Sequence, residues 1–415
     1  MRLSEELTWR GFVNQTTYKD IAVLDGEPIT FYWGVDPSAD SMQIGNFAIA
    51  MMVRHFVNHG HKAVLLVGGA TGLIGDPDGK KQERDLHSLA DIAANKAGIV
   101  NQYKTIFSGL DFEIVDNYDW FNNINYLDFL RDVGKHVPMS AMLGREFVAS
   151  RLGETGSGIS YAEFSYSLIQ GYDFLHLNRE KSVTLQVAGA DQWGNCLAGV
   201  DLVRRVTGQD VHIWSAPLVV NKSTGVKFGK TEGGAIWLDP KKTSPTQFYQ
   251  FWINCDDAGV ADYLKVYTLL SKVEIESIVA EQAQNPAARV AQKRLATAVT
   301  TLVHGATNAQ LAAEVTAYLT GAISLESINA LALEALKQEI AYQKVDRAAT
   351  VVDCLVASGL ASSVSDGRRL LAGNGISVNG VKISAETFAA AGITADRILL
   401  RRGKAFKDSA VIEFN

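Results

Sequence analysis

The amino-acid sequence predicts an α/β protein with a parallel sheet in its first half, successive helices after residue 245 and a small α+β region near its end. The sheet is predicted by two apolar runs, at residues 30–34 and 63–67. They flank a segment whose apolar residues recur at helical spacing until Gly60. This strand–helix–strand order is a βαβ unit, so the two strands should be parallel and the crossover right-handed. The α+β region is predicted by Asn379 and Gly380, a two-residue hairpin signal between short β-prone runs.

Length and composition exclude several classes of protein. A chain of 415 residues is long enough for more than one domain, and 47% hydrophobic with 20% charged residues is typical of globular proteins. A net charge of −6 argues against nucleic-acid binding over the whole surface, so any basic surface must be local. Residues 1–17 lack the apolar core of a signal peptide. Three widely separated cysteines predict neither a disulfide framework nor a metal knuckle, and they fit a reducing cytoplasm.

The loops after the first two strands are candidate ligand-binding segments, because ligands of a parallel sheet bind at the carboxyl ends of its strands. Residues 36–46 lead into the helix, whose free N–H groups favour an anion, and Gly45 would let a ligand approach the backbone. Residues 68–72 form a glycine-rich loop at the same edge. An ordinary glycine-rich connection is the alternative, since neither dinucleotide nor P-loop spacing is present. The polar segment 75–84 is either a solvated connection or a lysine-bearing lid over phosphate.

A predicted helix at residues 161–175 carries polar side chains on one face. Tyr166, Gln170 and Asp173 are spaced by four and three residues. Such a face is either solvated or lines a polar pocket, and the apolar and aromatic neighbours favour the pocket.

Two further strands are predicted downstream, each followed by a loop with polar residues. A strand at 184–187 runs into the small residues of 188–195 and then into another helix. A strand at 216–220 precedes a small-residue turn that carries Lys227 and Lys230. Two lysines around such a turn suit a mobile loop that contacts phosphate, and a plain surface hairpin is the alternative.

Residues 346–415 have a charge balance opposite to that of the whole chain, with nine Lys and Arg against seven Asp and Glu. Their candidate nucleic-acid contacts are Arg368, Arg369, Lys382, Arg401, Arg402 and Lys404. A basic, solvated surface on a small domain is the alternative interpretation. The Ala-rich residues 306–343 before it are weakly patterned and predict a helical or loosely ordered linker.

Four motifs occur together and in order: YWGVDP at residues 32–37, GGATGLIGDP at 68–77, GADQWGN at 189–195 and KFGKT at 227–231. With these motifs the chain closely resembles bacterial tyrosyl-tRNA synthetases, which are class I aminoacyl-tRNA synthetases. KFGKT stands where that family has its KMSKS-type loop, and QIGN at residues 43–46 stands where it has HIGH. Both histidines of HIGH are replaced, and Trp33 stands where a small residue is expected.

The resemblance implies a Rossmann-like catalytic domain that activates tyrosine with ATP and transfers it to the terminal ribose of tRNA. It assigns catalysis to Lys227, Lys230, Thr231, Gln43 and Ser38. It assigns tyrosine binding to Tyr32, Asp76, Tyr166, Gln170, Asp173 and Gln192. It assigns ATP binding to Gly34, Asp36, Gly45, Asn46, Gly189, Asp191 and Lys230. Mg²⁺ is expected to arrive with ATP, without a metal site built from protein side chains.

The resemblance also implies a division of the chain: a catalytic domain at 1–220 with inserted helices, the KMSKS-type loop and a helical anticodon-side domain at 221–318, a linker at 319–345 and an RNA-binding domain at 346–415. It implies a cytoplasmic homodimer, with the helices between residues 127 and 151 as candidates for the interface. Two other interpretations stay open. One is a catalytically degenerate paralogue that acts as an RNA-binding protein, and the other is a synthetase with altered amino-acid choice.

Overall fold

The computed structural model describes residues 1–77, 88–144, 146–152, 158–231, 234–403 and 406–415, and it describes only the backbone of residues 141, 146, 147, 150, 230, 231 and 406. These residues form two compact units. Unit 1 consists of Met1–Thr243 and Asn254–Leu295, and unit 2 consists of Ser244–Ile253 and Ala296–Asn415. Among the described residues, no helix is both long enough and apolar enough to span a membrane.

The strands, in chain order, are β1 Gln15–Thr16, β2 Thr30–Val35, β3 Lys62–Val67, β4 Phe112–Asp116, β5 Val183–Gly189, β6 His212–Ala216, β7 Lys230–Thr231, β8 Gly234–Ala235, β9 Ala341–Val345, β10 Ile376–Val378, β11 Val381–Lys382, β12 Arg397–Arg402 and β13 Ser409–Phe414. The helices are α1 Leu3–Arg10, α2 Ile44–Asn58, α3 Thr71–Ile74, α4 Leu89–Ile106, α5 Tyr118–Phe121, α6 Tyr126–Asp132, α7 Met139–Leu143, α8 Glu146–Leu152, α9 Tyr161–Lys181, α10 Trp193–Thr207, α11 Pro245–Ile253, α12 Val260–Tyr267, α13 Lys272–Gln284, α14 Val290–His304, α15 Ala306–Thr320, α16 Ala330–Glu339, α17 Val351–Ala357 and α18 Val364–Ala372.

The predicted α/β fold with a parallel sheet is confirmed in unit 1. Six of its described strands form one sheet in the order β1-β6-β5-β2-β3-β4, in which only β1 is antiparallel to its neighbour, and β7 and β8 form a separate two-stranded sheet. The chain leaves β2 toward β3 on one side, whereas β5 lies on the other side of β2. The loops after β2 and β5 therefore diverge, and a crevice for ligands is expected at this point of the sheet.

Burial explains why these segments form the centre of the fold. Strand β3 is buried at every position after Lys62, as expected for a parallel strand that is covered on both faces. Helix α2 has buried residues on most of its surface, including Phe47, Met51 and Phe56. Helix α9 is preceded by Ser160, whose hydroxyl accepts a hydrogen bond from the Glu163 N–H and so caps the first turn.

The strand predicted at residues 216–220 is wrong. The strand of the sheet is β6, which ends at Ala216. Pro217 follows it, and proline has no N–H with which to continue the ladder of hydrogen bonds. Instead, Val219 and Val220 pair with Lys227 and Phe228 in a short hairpin outside the sheet: the Phe228 N–H donates to the Val219 carbonyl at 2.9 Å.

Unit 2 contains helices and a second sheet in the order β11-β10-β12-β13-β9. The predicted hairpin is present, and Asn379 and Gly380 have φ values of 48° and 83°, as its turn requires. Residues 319–345 include α16 and β9, and β9 pairs in parallel with β13. Those residues are therefore packed into unit 2, while the predicted functional division of the chain stays a prediction.

Candidate active site

The crevice at the carboxyl ends of β2 and β5 is a cavity of about 280 Å³. It is lined by β2, the start of α2, one face of α9, the end of β5 and the lysine-bearing hairpin. The predicted site residues in its wall are Tyr32, Gly34, Asp36, Ser38, Gln43, Gly45, Asn46, Asp76, Tyr166, Gln170, Asp173, Gly189, Asp191, Gln192 and Lys227. Segments far apart in the sequence thus meet at one edge of one sheet.

One end of the cavity is formed by Tyr32 and Asp173, which are 1% and 2% exposed. The Tyr32 hydroxyl is buried and has no hydrogen-bond partner among the described residues. Asp173 accepts hydrogen bonds from Asn117 Nδ2 and Trp120 Nε1, each at 3.0 Å. Burial raises the pKa of the Asp173 carboxyl well above its usual range, and the two donors oppose that shift. The pair suits a buried ligand hydroxyl that donates to the carboxylate and accepts from the tyrosine.

Asp36 is held in place within the cavity wall by two hydroxyl groups. Tyr166 Oη donates to Asp36 Oδ2 at 2.6 Å, and Thr71 Oγ1 donates to Asp36 Oδ1 at 2.6 Å. Gly68 makes room for this arrangement, because a Cβ there would lie 2.2 Å from both Asp36 Oδ1 and Thr71 Oγ1. The glycine-rich loop therefore has a packing role at this position.

A second carboxylate, Asp76, accepts a hydrogen bond from Gln192 Nε2 at 2.6 Å. In the wall of the same cavity, Gln170 Oε1 is buried without a hydrogen-bond partner among the described residues, as is Gln186 Oε1 on β5. This part of the cavity thus presents carboxylate and amide oxygens, and oxygen acceptors of this kind suit an ammonium group.

The start of α2 forms the opposite wall. A Cβ added at Gly45 would meet no atom within 4 Å, so the helix terminus is open toward the cavity. The Gln43 N–H donates to Asn46 Oδ1 at 3.2 Å, which fixes the first turn of the helix. Trp33 also lines the cavity, where its ring packs 5.4 Å from that of Tyr103. A helix N-terminus open in this way favours an anionic ligand.

The hairpin after β6 brings a cation to the cavity. Lys227 Nζ lies 3.8 Å from Asp191 Oδ2, and both side chains are about half exposed. Lys230 and Thr231 form β7, which pairs with β8, and their side chains lie outside the described part of the structure. Lys80 and Lys81, the lysines of the possible lid at residues 75–84, also lie outside the described residues.

Comparison with known proteins identifies the family to which the chain belongs. The profile described as tRNA synthetases class I (W and Y) matches residues 24–320. The chain belongs to this family. The synthetase is 41% identical to a tyrosine–tRNA ligase of Bacteroides fragilis over 97% of this chain and 98% of that protein. It is 42% identical to a tyrosine–tRNA ligase of Macrococcus caseolyticus over 97% of each.

Solved structures agree with this membership. A C-terminally truncated mitochondrial tyrosyl-tRNA synthetase of Aspergillus nidulans matches with a TM-score of 0.68 and 31% identity, covering 75% of this chain and 92% of that one. The Rossmann-like class I fold of the synthetase is therefore shown by both sequence and structure.

Sequence reasoning did not select four residues that the synthetase brings to this cavity or places behind it: Thr71, Asn117, Trp120 and Gln186. Thr71 and Gln186 line the cavity. Asn117 and Trp120 hold Asp173 from behind. A signal was available for Thr71 and Asn117, since each closely follows a strand at the ligand-binding edge.

The basic residues predicted for unit 2 fall into two groups. Arg368, Arg369 and Lys382 are exposed. In contrast, Arg401 donates to Ser409 Oγ at 3.0 Å and Arg402 donates to the Leu360 carbonyl at 3.0 Å, so both are bonded within the unit. Burial lowers the pKa of Arg401. Lys404 lies outside the described residues.

Proposed function

We propose that the synthetase is a tyrosine–tRNA ligase. It joins tyrosine to ATP as tyrosyl-adenylate, releases pyrophosphate and passes the tyrosyl group to the 3′-terminal ribose of tRNA. The observation that carries the proposal concerns two side chains that line the cavity: the Tyr32 hydroxyl, which has no hydrogen-bond partner among the described residues, and the buried carboxylate of Asp173. The ligases of Bacteroides fragilis and Macrococcus caseolyticus support it through their similarity over nearly the whole chain.

The phenol of the substrate binds between these two side chains. Its hydroxyl donates to Asp173 and accepts from Tyr32, whose own hydroxyl has no hydrogen-bond partner among the described residues. Phenylalanine has no hydroxyl, so it would give the buried Tyr32 hydroxyl no partner and would leave Asp173 with only its bonds from Asn117 and Trp120. A buried polar group that makes no hydrogen bond loses its hydration free energy without compensation. This cost disfavours the binding of phenylalanine.

The amino-acid backbone of tyrosine binds in the middle of the cavity. Asp76, Tyr166 and Gln170 hold the ammonium group, and Gln192 donates to the carboxylate. The hydrogen bond from Gln192 to Asp76 supports this assignment because it keeps both side chains in the same wall. The substrate carboxylate then points toward the open start of α2, where the triphosphate of ATP binds.

In the first step, a carboxylate oxygen of tyrosine attacks the α-phosphorus of ATP and the bond to the bridging oxygen of pyrophosphate breaks. The attacking carboxylate is already ionised, so no protein base is needed. Catalysis then consists of positioning and of stabilising charge on the leaving group. Lys227, Lys230, Thr231, Gln43 and Ser38 perform this role. Mg²⁺ enters as part of the substrate MgATP.

The nucleotide is held at the β2–β5 crevice. The backbone at Gly34, Gly45 and Gly189 allows it to approach closely, and Asn46 and Asp191 bond the ribose. Asp36 forms the floor of the site. The open space at Gly45 supports this placement, since the protein itself does not fill it. In the second step, a ribose hydroxyl of tRNA attacks the tyrosyl carbonyl and AMP leaves.

The remaining parts of the chain bind tRNA and a second subunit. The exposed Arg368, Arg369 and Lys382 contact tRNA phosphates, which are read through charge and shape. Exposed apolar side chains on α6–α8, namely Tyr126, Leu127, Met139, Leu143 and Leu152, support a homodimer interface there. We also propose a cytoplasmic location, where tRNA, ATP and tyrosine are all available.

Pyrophosphate exchange tests the function and its alternatives. Purified synthetase is mixed with ATP, labelled pyrophosphate and each amino acid in turn, without tRNA. We expect exchange with tyrosine and little with phenylalanine. Exchange with a different amino acid in place of tyrosine would show that this amino acid is the substrate. Absence of exchange, together with tRNA binding, would favour a catalytically degenerate paralogue, for which Gln43 and Trp33 are the supporting observations.

A further inference from the structure

One large apolar side chain in the lysine-bearing hairpin is buried against the helical part of unit 1. Phe228 is 6% exposed, although its neighbour Lys227 is about half exposed at the cavity. Phe228 is itself among the residues that line the cavity. Because its buried ring and the ammonium group of Lys227 belong to adjacent residues, the packing of the ring constrains the position of the ammonium group.

The ring of Phe228 is stacked on Tyr263 of α12. The two ring centroids lie 4.2 Å apart and the planes are 25° from parallel. Tyr263 is itself fixed, because its hydroxyl donates to Asp256 Oδ1 at 2.8 Å and accepts from the Lys222 N–H at 3.4 Å. Gly259 leaves the space that the Tyr263 ring occupies, since a Cβ there would lie 2.4 Å from Tyr263 Cζ.

Further aromatic rings connect this stack to α2, the helix whose N-terminus lines the cavity. Tyr267, one turn after Tyr263 on α12, lies 6.0 Å from the Phe228 ring and 5.9 Å from the ring of Phe47 on α2. Phe47 directly follows Asn46. The backbone supports the same link, since a Cβ at Gly229 would lie 2.4 Å from Ile44.

We propose that Phe228 and Tyr263 are positioning residues for the adenylate-forming step, and that their stack fixes Lys227 relative to the start of α2. The proposal rests on the proposed function. Neither ring touches a substrate in this assignment. Their effect is to hold a cation where charge develops on the leaving pyrophosphate, and a small displacement of such a group is costly because stabilisation depends on preorganisation.

Single-turnover formation of tyrosyl-adenylate, with the tyrosine dissociation constant measured separately, tests the proposal. We expect Phe228→Ala to lower the rate constant about 10- to 100-fold, because misplacement by about 1 Å has effects of that size. The tyrosine dissociation constant should stay at the wild-type value. Tyr263→Leu should lower the rate by a similar factor, whereas Tyr263→Phe, which keeps the stacked ring and loses only the hydrogen bonds of the hydroxyl, should lower it less. Gly259→Ala should also lower the rate, because the added methyl group lies outside the site and displaces the Tyr263 ring.

A double-mutant cycle separates positioning from general damage. In a Lys227→Ala background, Phe228→Ala should lower the rate far less than it does in the wild type, because the group that it positions is already gone. Tyr18→Leu is the matched control: Tyr18 is also stacked in unit 1, 3.9 Å from His212, but lies outside this cluster. It should leave the rate unchanged. Thermal unfolding of each variant shows whether it folds.

The outcomes distinguish the two proposals. A wild-type synthetase that forms no tyrosyl-adenylate would overturn both the function and the positioning role. An active wild type with Phe228→Ala at the same rate would overturn the positioning role alone. The positioning role would also be overturned if the effects of Phe228→Ala and Lys227→Ala on the rate were additive. A loss of tyrosine affinity as large as the loss of rate would overturn it too.

Discussion

Asn117 Nδ2 donates a hydrogen bond to Asp173 Oδ2 at 3.0 Å, and the same nitrogen lies 3.1 Å from Thr71 Oγ1. Thr71 in turn donates to Asp36. One buried amide therefore connects Asp173 with Asp36, the carboxylates that the proposed function assigns to the phenol and nucleotide ends of the cavity. Since Asn117 is 0% exposed, it reaches neither substrate and acts through its partners.

Replacement of Asp173 by alanine should weaken tyrosine binding and abolish the preference for tyrosine over phenylalanine. The substrate hydroxyl would lose its acceptor, and Asn117 and Trp120 would lose the carboxylate that they bond. A buried group left without its partner costs about 1–3 kcal/mol. Equilibrium binding of both amino acids, with adenylate formation measured in parallel, checks this. Unchanged values for both amino acids would disprove the assignment of the phenol site.

The stability of the wild type should fall relative to that of Asp173→Asn as pH rises. The pKa of Asp173 is raised in the folded state by burial. A raised folded pKa contributes stability that is fully present below the unfolded pKa of about 4 and is lost as pH rises through the folded value. The neutral amide cannot ionise and lacks this dependence. Thermal unfolding of both proteins across the pH range measures the difference, and a difference that does not vary with pH would contradict the expectation.

Lys227→Ala should slow adenylate formation by about two orders of magnitude, the scale seen when one preorganised donor is lost, with little change in tyrosine affinity. Gln43→Ala should slow the same step less, because a neutral amide stabilises the leaving pyrophosphate less than a full charge does. Gln43→His should match or exceed the wild type. Single-turnover kinetics decide this, and an unaltered rate in Gln43→Ala would leave position 43 without a catalytic role.

Replacing Arg368, Arg369 and Lys382 together by alanine should weaken tRNA binding and flatten its salt dependence, because each lost phosphate contact reduces the release of counterions. Adenylate formation should stay unchanged. Removing residues 346–415 is a poorer test, since Leu399 and Val411 pack with Val315 and Leu336 in one apolar cluster. Arg347→Ala, which removes an ion pair with Asp396 in the same unit, is the control. Equal tRNA affinity and salt slope in the triple variant and the wild type would count against these three contacts.

The sequence by itself determined the βαβ start of the fold and the hairpin at Asn379 and Gly380. Hydrophobic spacing and turn chemistry are local properties, so a short window of residues specifies them. The motifs also indicated most residues of the cavity wall, because the carboxyl ends of parallel strands share one edge. The strand predicted at residues 216–220 was wrong. The prediction followed the apolar run and gave too little weight to Pro217, which has no N–H with which to continue the strand.

Only the tertiary structure decided which partners each side chain has. The sequence does not reveal that Asn117 and Trp120 bond Asp173, that Arg401 and Arg402 are tied within unit 2, or that Phe228 stacks on Tyr263. These contacts join segments tens of residues or more apart, except for the shorter separation between Arg401 and Ser409. Their existence depends on how the elements pack, and local spacing carries no information about that packing.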